Sequence, residues 1–189
     1  MKQGGLDVAK RILAMNQLDR KVVIVVGEDE DYFNPATNTI SLNRSNQNKT
    51  SAAIAIAIHE VGHALQFNSN WGVYNFRCKF IVMKYPLIYI TALLVGLSFW
   101  KDVFGVFAIT SLISLILCTV IELIVEINAS IRGCKYYREY FETNTKEMVK
   151  IWIVLGLAAF TYFVDIFVSI FMVGKVLLQS KEKKEEERS

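Results

Sequence analysis

Histidine is scarce in this chain of 189 residues, which contains only two, His59 and His63. Cysteine is scarce as well. Cys78, Cys118 and Cys134 have no C-x-x-C spacing, so we expect free thiols in a reducing compartment rather than disulfides or a thiolate metal site. The formal net charge is only +3, which gives no basic surface of the size that nucleic acid requires. We therefore predict no nucleic-acid partner.

We expect no cleavable signal peptide, because residues 1–7 contain no apolar core. Hydrophobic residues nevertheless make up 53% of the chain, and they are concentrated after residue 80. About 20 apolar residues are needed to cross a bilayer, which predicts membrane-spanning helices near 80–100, 103–125 and 151–173. A chain this short has too few polar elements to enclose three such helices as a soluble core. The predicted partner is therefore a lipid bilayer, crossed several times.

The first 50 residues are polar and mixed, and they predict a small unit of a helix and two strands. Apolar residues at helical spacing indicate an amphipathic helix over 6–18. The β-branched run at 22–26 and the segment Thr39–Leu42 indicate strands. Because the second strand comes shortly before the next helix, we expect it to hold an extended peptide by edge pairing.

The two histidines belong to the sequence His59-Glu60-Val61-Gly62-His63, which reads H-E-x-x-H. Residues four apart share one face of a helix, so both imidazoles can reach a single metal ion. Glu60 can accept a proton from a water held there, and Gly62 leaves room beside the metal. The motif predicts a zinc hydrolase with one Zn²⁺ per chain and Glu60 as its catalytic base.

A catalytic zinc site uses three protein ligands and leaves one position open. Since no third histidine exists, the third ligand should be a carboxylate. The candidates are acidic residues in or near the apolar half of the chain: Asp102, Glu122, Glu126, Glu139, Glu142 and Asp165.

Topology favours two of these carboxylates. A tight turn at residues 101–102 returns the end of the second span to the side on which the motif helix lies, and Glu122 and Glu126 are both found there. We predict Glu126 as the third ligand, because Asn128 and Arg132 nearby can supply supporting hydrogen bonds. Glu122 is expected as a further carboxylate beside the site.

Four segments resemble a known family, and in order they cover nearly the whole chain. They are similar to signature segments of the neutral zinc metallopeptidases of the bacterial membrane, the YugP type: D-Y-F-N-P (31–35), A-I-H-E-V-G-H-A-L-Q (57–66), V-E-I-N-A-S-I-R (125–132) and A-A-F-T-Y (158–162). The resemblance implies that His59, His63 and Glu126 bind zinc and that Glu60 is the general base.

This chain departs from the family pattern in two ways. Asn34 and Asn128 stand where family members commonly have aspartate, so the resemblance carries no charged role to either position. Family members also usually begin with an additional membrane helix, for which the first residues here offer no apolar run.

Together these patterns predict an α+β, mainly helical integral membrane protein with a zincin-like, gluzincin-like motif helix. The expected regions form one functional domain: a polar unit (1–50), the motif helix and an interface segment (51–79), membrane helices (80–174) with an interfacial loop (132–150), and a charged tail (175–189).

The predicted function is a membrane-bound zinc metalloendopeptidase that cleaves peptides or membrane proteins. The alternative is a catalytically silent membrane scaffold or a protein with a structural zinc. Intramembrane cleavage is less favoured, because the apolar run at 52–58 is too short for the motif helix to span a bilayer.

Cations are concentrated on the side of the predicted spans where the motif lies. Lys101 and Lys175 flank the other side. The positive-inside rule therefore places the catalytic site on the cytoplasmic side of a bacterial-type cell membrane. The cations on the catalytic side are Arg77, Lys79, Lys84, Arg132, Lys135, Arg138, Lys146 and Lys150.

Overall fold

The computed structural model describes residues 3–27, 30–98 and 101–186. The chain forms two compact units. One consists of Met1–Asn75 with Ile124–Phe160, and the other of Phe76–Leu123 with Thr161–Ser189. The elements in chain order are α1 (Gly5–Met15), β1 (Val23–Gly27), β2 (Tyr32–Asn34), β3 (Thr39–Asn43), a 3₁₀ helix (Arg44–Gln47), α2 (Ser51–Asn68), α3 (Gly72–Ser98), α4 (Asp102–Tyr140) and α5 (Thr145–Glu186).

The first unit contains a three-stranded sheet in the order β1-β3-β2. β1 runs parallel to β3, and β2 runs antiparallel to it with Phe33 opposite Ile40. Ile40 and Leu42 of β3 are fully buried, which fixes the face of the sheet that packs inward. Because β3 is paired on both sides, the expectation that Thr39–Leu42 offers an open edge to a peptide is wrong. The edges belong to β1 and β2.

Two other expectations differ from the observed elements. β2 is a third strand in a unit for which two strands were expected, because three residues are too short to show a strand pattern and Pro35 follows directly. The segment 132–150, expected as an interfacial loop, is helical up to Tyr140 and again from Thr145. Helical pairing with the preceding turns satisfies its backbone, which a loop could not do without other partners.

Within the part of the chain that the structure describes, two helices are long and apolar enough to cross a membrane, Val103–Tyr140 and Thr145–Val168. In their most apolar stretches only 28% and 12% of the residues are buried, unlike the core helices of a soluble protein. The predicted first span contains only a shorter apolar stretch, Pro86–Ser98, and its expected end at Phe99 and Trp100 lies outside the described residues. The expectation of about three spans is therefore not confirmed.

The second unit presents large apolar side chains on its surface. Val82, Tyr89 and Phe171 are each more than 70% exposed. An apolar surface of this kind marks contact with a membrane or with another protein.

The charged end of α5 continues as a helix to Glu186, and the last three residues of the tail lie outside the described residues.

In the first unit, α2 and α4 cross at very short distance, and each helix supplies a glycine at the crossing. A Cβ atom on Gly62 would overlap the backbone carbonyl of Ala129, and one on Gly133 would overlap the carbonyl of Ile58. The space that Gly62 leaves is therefore filled by the backbone of α4 and is not room beside a metal. Only glycine at these two positions lets the helix backbones approach this closely.

We expect Gly62→Ala and Gly133→Ala each to push the two helices apart and to destabilise the protein by about 1–3 kcal/mol, as overpacking does. Gly72→Ala is the matched control, because a Cβ there meets no atom within 4 Å. Thermal unfolding of the purified protein in detergent measures the difference. Equal midpoints for all three variants would contradict the close crossing.

Candidate metal centre

The H-E-x-x-H sequence lies in the second half of α2, which is buried along most of its length. Thr50 caps the helix, since its side chain accepts a hydrogen bond from the Ala53 amide. The predicted motif helix is confirmed. Helical spacing brings the rings of His59 and His63 to a centroid distance of 4.7 Å, so the two imidazoles share one face.

Glu126 of α4 meets both histidines. Its Oε2 atom lies 3.0 Å from Nε2 of His59 and 3.3 Å from Nε2 of His63, and the two Nε2 atoms are 3.2 Å apart. Two zinc bonds of about 2.0–2.1 Å that meet at a tetrahedral angle would hold their donor atoms roughly 3.3 Å apart. The spacing of these three donors therefore fits one zinc ion.

The orientation of His63 is set by Gln66, which is fully buried. The Gln66 amide nitrogen donates to the carbonyl of Val125 and to Oδ1 of Asn128, at 2.8 and 3.1 Å. Its Oε1 atom must then face His63 Nδ1, 3.0 Å away, and accept the proton there. This hydrogen bond leaves Nε2 of His63 as an electron-pair donor.

The orientation of His59 is set by Ser130. The Ser130 hydroxyl donates to the carbonyl of Glu126 at 3.0 Å, so its oxygen accepts from His59 Nδ1, also at 3.0 Å. In this tautomer, two Nε2 lone pairs and a carboxylate oxygen face one another. Such a set is held together by a cation, and imidazole with carboxylate is a donor set that suits zinc.

Glu60 is buried beside this cluster, with 7% of its surface exposed. Burial raises its pKa above the ordinary range, and the nearby carboxylates of Glu126 and Asp31 act in the same direction. His63 and His59 oppose the rise. A buried carboxyl that resists ionisation is a better proton acceptor once charged, as a general base must be.

The other predicted site residues have different surroundings. Asn128 contacts Gln66 and so supports a histidine through that side chain. An amide oxygen is sufficient for this role, so no negative charge is needed at position 128. Arg132 donates to Ser69 at 2.9 Å and lies over the ring of Trp71, so it joins the end of α2 to α4.

Of the remaining candidate carboxylates, those whose side chains the structure describes are not part of the cluster. Among the residues that the structure describes, the group that could hold a metal consists of His59, His63 and Glu126. Glu122 is buried one helical turn before Glu126, in the part of α4 that belongs to the second unit. Glu139 and Glu142 are exposed. The side chains of Asp102 and Asp165 lie outside the described part.

Sequence reasoning missed Gln66 and Ser130 as partners of the histidines. Both stand one helical turn after a candidate ligand, Gln66 three residues after His63 and Ser130 four residues after Glu126. A polar residue at this spacing on an otherwise apolar helix face was the signal that could have revealed them.

Comparison with known proteins agrees with this geometry. The family described as "putative neutral zinc metallopeptidase" matches residues 1–181, and the chain belongs to this family. A relative from Bacillus subtilis (strain 168), named "Putative membrane protease YugP", is 33% identical over 176 residues, which cover 88% of this chain and 76% of the relative. No solved structure matches the chain.

We expect Glu126→Gln to reduce zinc affinity by more than about 100-fold, because losing even a hydrogen-bond partner of a ligand costs roughly 10–100-fold. Glu139→Gln, on the same helix but outside the cluster, should bind zinc like the wild type. Zinc content after dialysis against a metal buffer measures both. A wild-type zinc content in Glu126→Gln would remove this carboxylate from the ligand set.

Ser130→Ala should weaken zinc binding by about 10–100-fold, because His59 loses the acceptor that fixes its tautomer. Ser111→Ala is a close control. Ser111 lies on the same helix and donates to the carbonyl of Ala108, so both variants lose a hydroxyl bonded to the helix backbone. Equal zinc affinity in the two variants would show that the contact between Ser130 and His59 does not matter for the metal.

Proposed function

We propose that this protein is a membrane-bound zinc endopeptidase that cleaves peptides or membrane proteins. The observation that carries the proposal is the convergence of two histidine Nε2 atoms and one Glu126 oxygen within 3.0–3.3 Å. Membership of a family of zinc metallopeptidases supports it, as does the similarity to a Bacillus relative that is named as a membrane protease.

In this proposal, His59, His63 and Glu126 hold one Zn²⁺. A zinc ion bound there would lower the pKa of a coordinated water towards roughly 7 and polarise a substrate carbonyl. Glu60 follows His59 directly on the motif helix and is buried beside the cluster. It accepts a proton from the attacking water and passes it to the amine that leaves.

A silent scaffold or a structural zinc site is the second candidate. Structural zinc sites are usually closed by four protein ligands, whereas a catalytic site keeps one position open for water. The group found among the described residues has three members. A buried carboxyl at Glu60 adds a proton acceptor that a structural site does not need. Both features favour the enzyme.

The proposal includes several crossings of a bacterial cell membrane with the active site on the cytoplasmic side. Two long apolar helices with little buried surface support the membrane crossings. The distribution of Lys and Arg along the sequence supports the cytoplasmic placement of the active site. Reporter fusions after Tyr140 and after Lys101 measure the orientation, and a cytoplasmic signal after Lys101 would reverse it.

The substrate strand pairs, in this proposal, with the open edge of β2. This strand lies against the motif helix, since Phe33 contacts Phe67 with ring centroids 5.8 Å apart. Asp31, just before β2, is close enough to Glu60 to raise its pKa. An extended chain added to an edge strand gains backbone hydrogen bonds without requiring a fixed sequence.

Glu60→Gln should keep its zinc and lose peptide cleavage by at least about 100-fold, because general-base catalysis contributes roughly 10²–10⁴-fold. Glu139→Gln is the control with the same chemical change at an exposed position. Zinc content and cleavage of a fluorogenic peptide, measured on the same samples, separate the two properties. Cleavage at the wild-type rate by a zinc-loaded Glu60→Gln protein would refute the assignment.

The zinc-loaded Glu60→Gln protein also allows the substrate edge to be found. A bound, uncleaved peptide should slow hydrogen exchange at the amides of residues 30–34, since β2 gains backbone partners. The amides of β1, the other edge, provide the internal control. Protection of β1 alone would place the substrate on the wrong side of the sheet for this proposal.

A further inference from the structure

A groove of about 530 Å³ lies between the end of α4 and the start of α5, within the first unit. Ile131, Lys135 and Arg138 line it from α4, and Met148 and Trp152 line it from α5. The three residues of α4 are spaced four and three apart, so they share one face of the helix. The groove is separate from the cluster of His59, His63 and Glu126.

The surface of α4 changes character along this face. Ile124, Ile127 and Ile131 are 47%, 41% and 48% exposed, and they form an apolar stripe that leads into the groove. Within one further turn the exposed residues become the cations Lys135 and Arg138. The groove thus has an apolar end and a cationic end.

At the start of α5 the order is reversed, because exposed cations come first and exposed apolar residues follow. Lys146 and Lys150 are exposed, and they are followed by Trp152 and Ile153, which are 45% and 57% exposed. Tryptophan is enriched where hydrocarbon meets the headgroup region of a bilayer. Both helices therefore change from apolar to cationic beside the groove.

We propose that this groove binds an anionic phospholipid of the phosphatidylglycerol type. Lys135 and Arg138 bind the phosphate, and the acyl chains lie along Ile131 and Trp152. Glu139, which also lines the groove, accepts a hydrogen bond from a hydroxyl of the glycerol headgroup. The proposal rests on the membrane placement given above for the peptidase, but it does not depend on catalysis.

The charges distinguish this occupant from a zwitterionic lipid. A phosphatidylethanolamine headgroup would depend on Glu139, because its ammonium group needs an anionic partner. A phosphatidylglycerol headgroup has no cation, so Glu139 contributes only one hydrogen bond and repels the phosphate slightly. The effect of removing the Glu139 charge therefore has opposite signs for the two lipids.

The test uses the zinc-loaded protein, reconstituted with equal parts of phosphatidylglycerol, phosphatidylethanolamine and phosphatidylcholine. Native mass spectrometry then measures the lipids that remain bound after mild detergent extraction. Lys135→Gln/Arg138→Gln should lose the preference for phosphatidylglycerol, by roughly fivefold for each cation removed. Lys21→Gln/Lys49→Gln removes the same amount of charge from exposed positions away from the groove. This control variant should retain the preference for phosphatidylglycerol.

Glu139→Gln should keep or increase the phosphatidylglycerol retained. The proposal would be overturned if Glu139→Gln lost phosphatidylethanolamine while every variant retained the wild-type amount of phosphatidylglycerol. That result would assign the groove to the zwitterionic lipid. Displacement of the lipid by millimolar glycerol phosphate would show a site for soluble anions instead. A dimer that depends on Lys135 and Arg138, without lipid preference, would assign the groove to a second copy of the chain.

Zinc content and peptide cleavage, measured on the same preparations, keep the two proposals apart. An inserted protein that cleaves peptide and has no lipid preference refutes only the lipid site. An inserted protein that retains phosphatidylglycerol through Lys135 and Arg138 without cleaving peptide refutes only the peptidase. A protein that does not enter the bilayer overturns the lipid site and the membrane part of the proposed function.

Discussion

The close crossing of α2 and α4 is the constraint on which the rest of the first unit depends. Gly62 and Gly133 let each backbone rest against the other, so the side chains that flank the contact are held at fixed separation. α2 supplies His59 and His63 to this contact, and α4 supplies Glu126 and Ser130. The donor geometry is thus a product of helix packing rather than of a loop, which makes it rigid.

Polar residues inside an otherwise apolar interface complete this arrangement. Gln66 and Ser130 are buried, and each uses one hydrogen bond to the backbone of α4 and one to a histidine. A buried polar group without partners would cost about 1–3 kcal/mol. Because Gln66 of α2 bonds to α4 and Ser130 of α4 bonds to His59 of α2, the network favours one register of the two helices over its neighbours.

The sequence was sufficient for some of these features and not for others. The histidine pair of H-E-x-x-H follows from local helical spacing and Glu126 from the tight turn expected at residues 101–102, and the structure brings these ligand candidates together. β2 could not be predicted, because three residues carry no periodicity and its pairing with β3 is a tertiary contact. Arg132 was expected to support the ligands, but it donates to Ser69 and lies over Trp71, contacts that depend on the course of the chain at the end of α2.

His63 and Glu126 are 63 residues apart in the chain, and this separation affects how the protein is made. A ribosome adds about 5–20 residues per second, so the carboxylate is synthesised on the order of 3–13 s after the motif helix. During that interval the nascent chain holds two of its three donors. The residue that completes the set arrives at the end of the long apolar run of α4, so the emerging chain cannot assemble the cluster before that run has been translated.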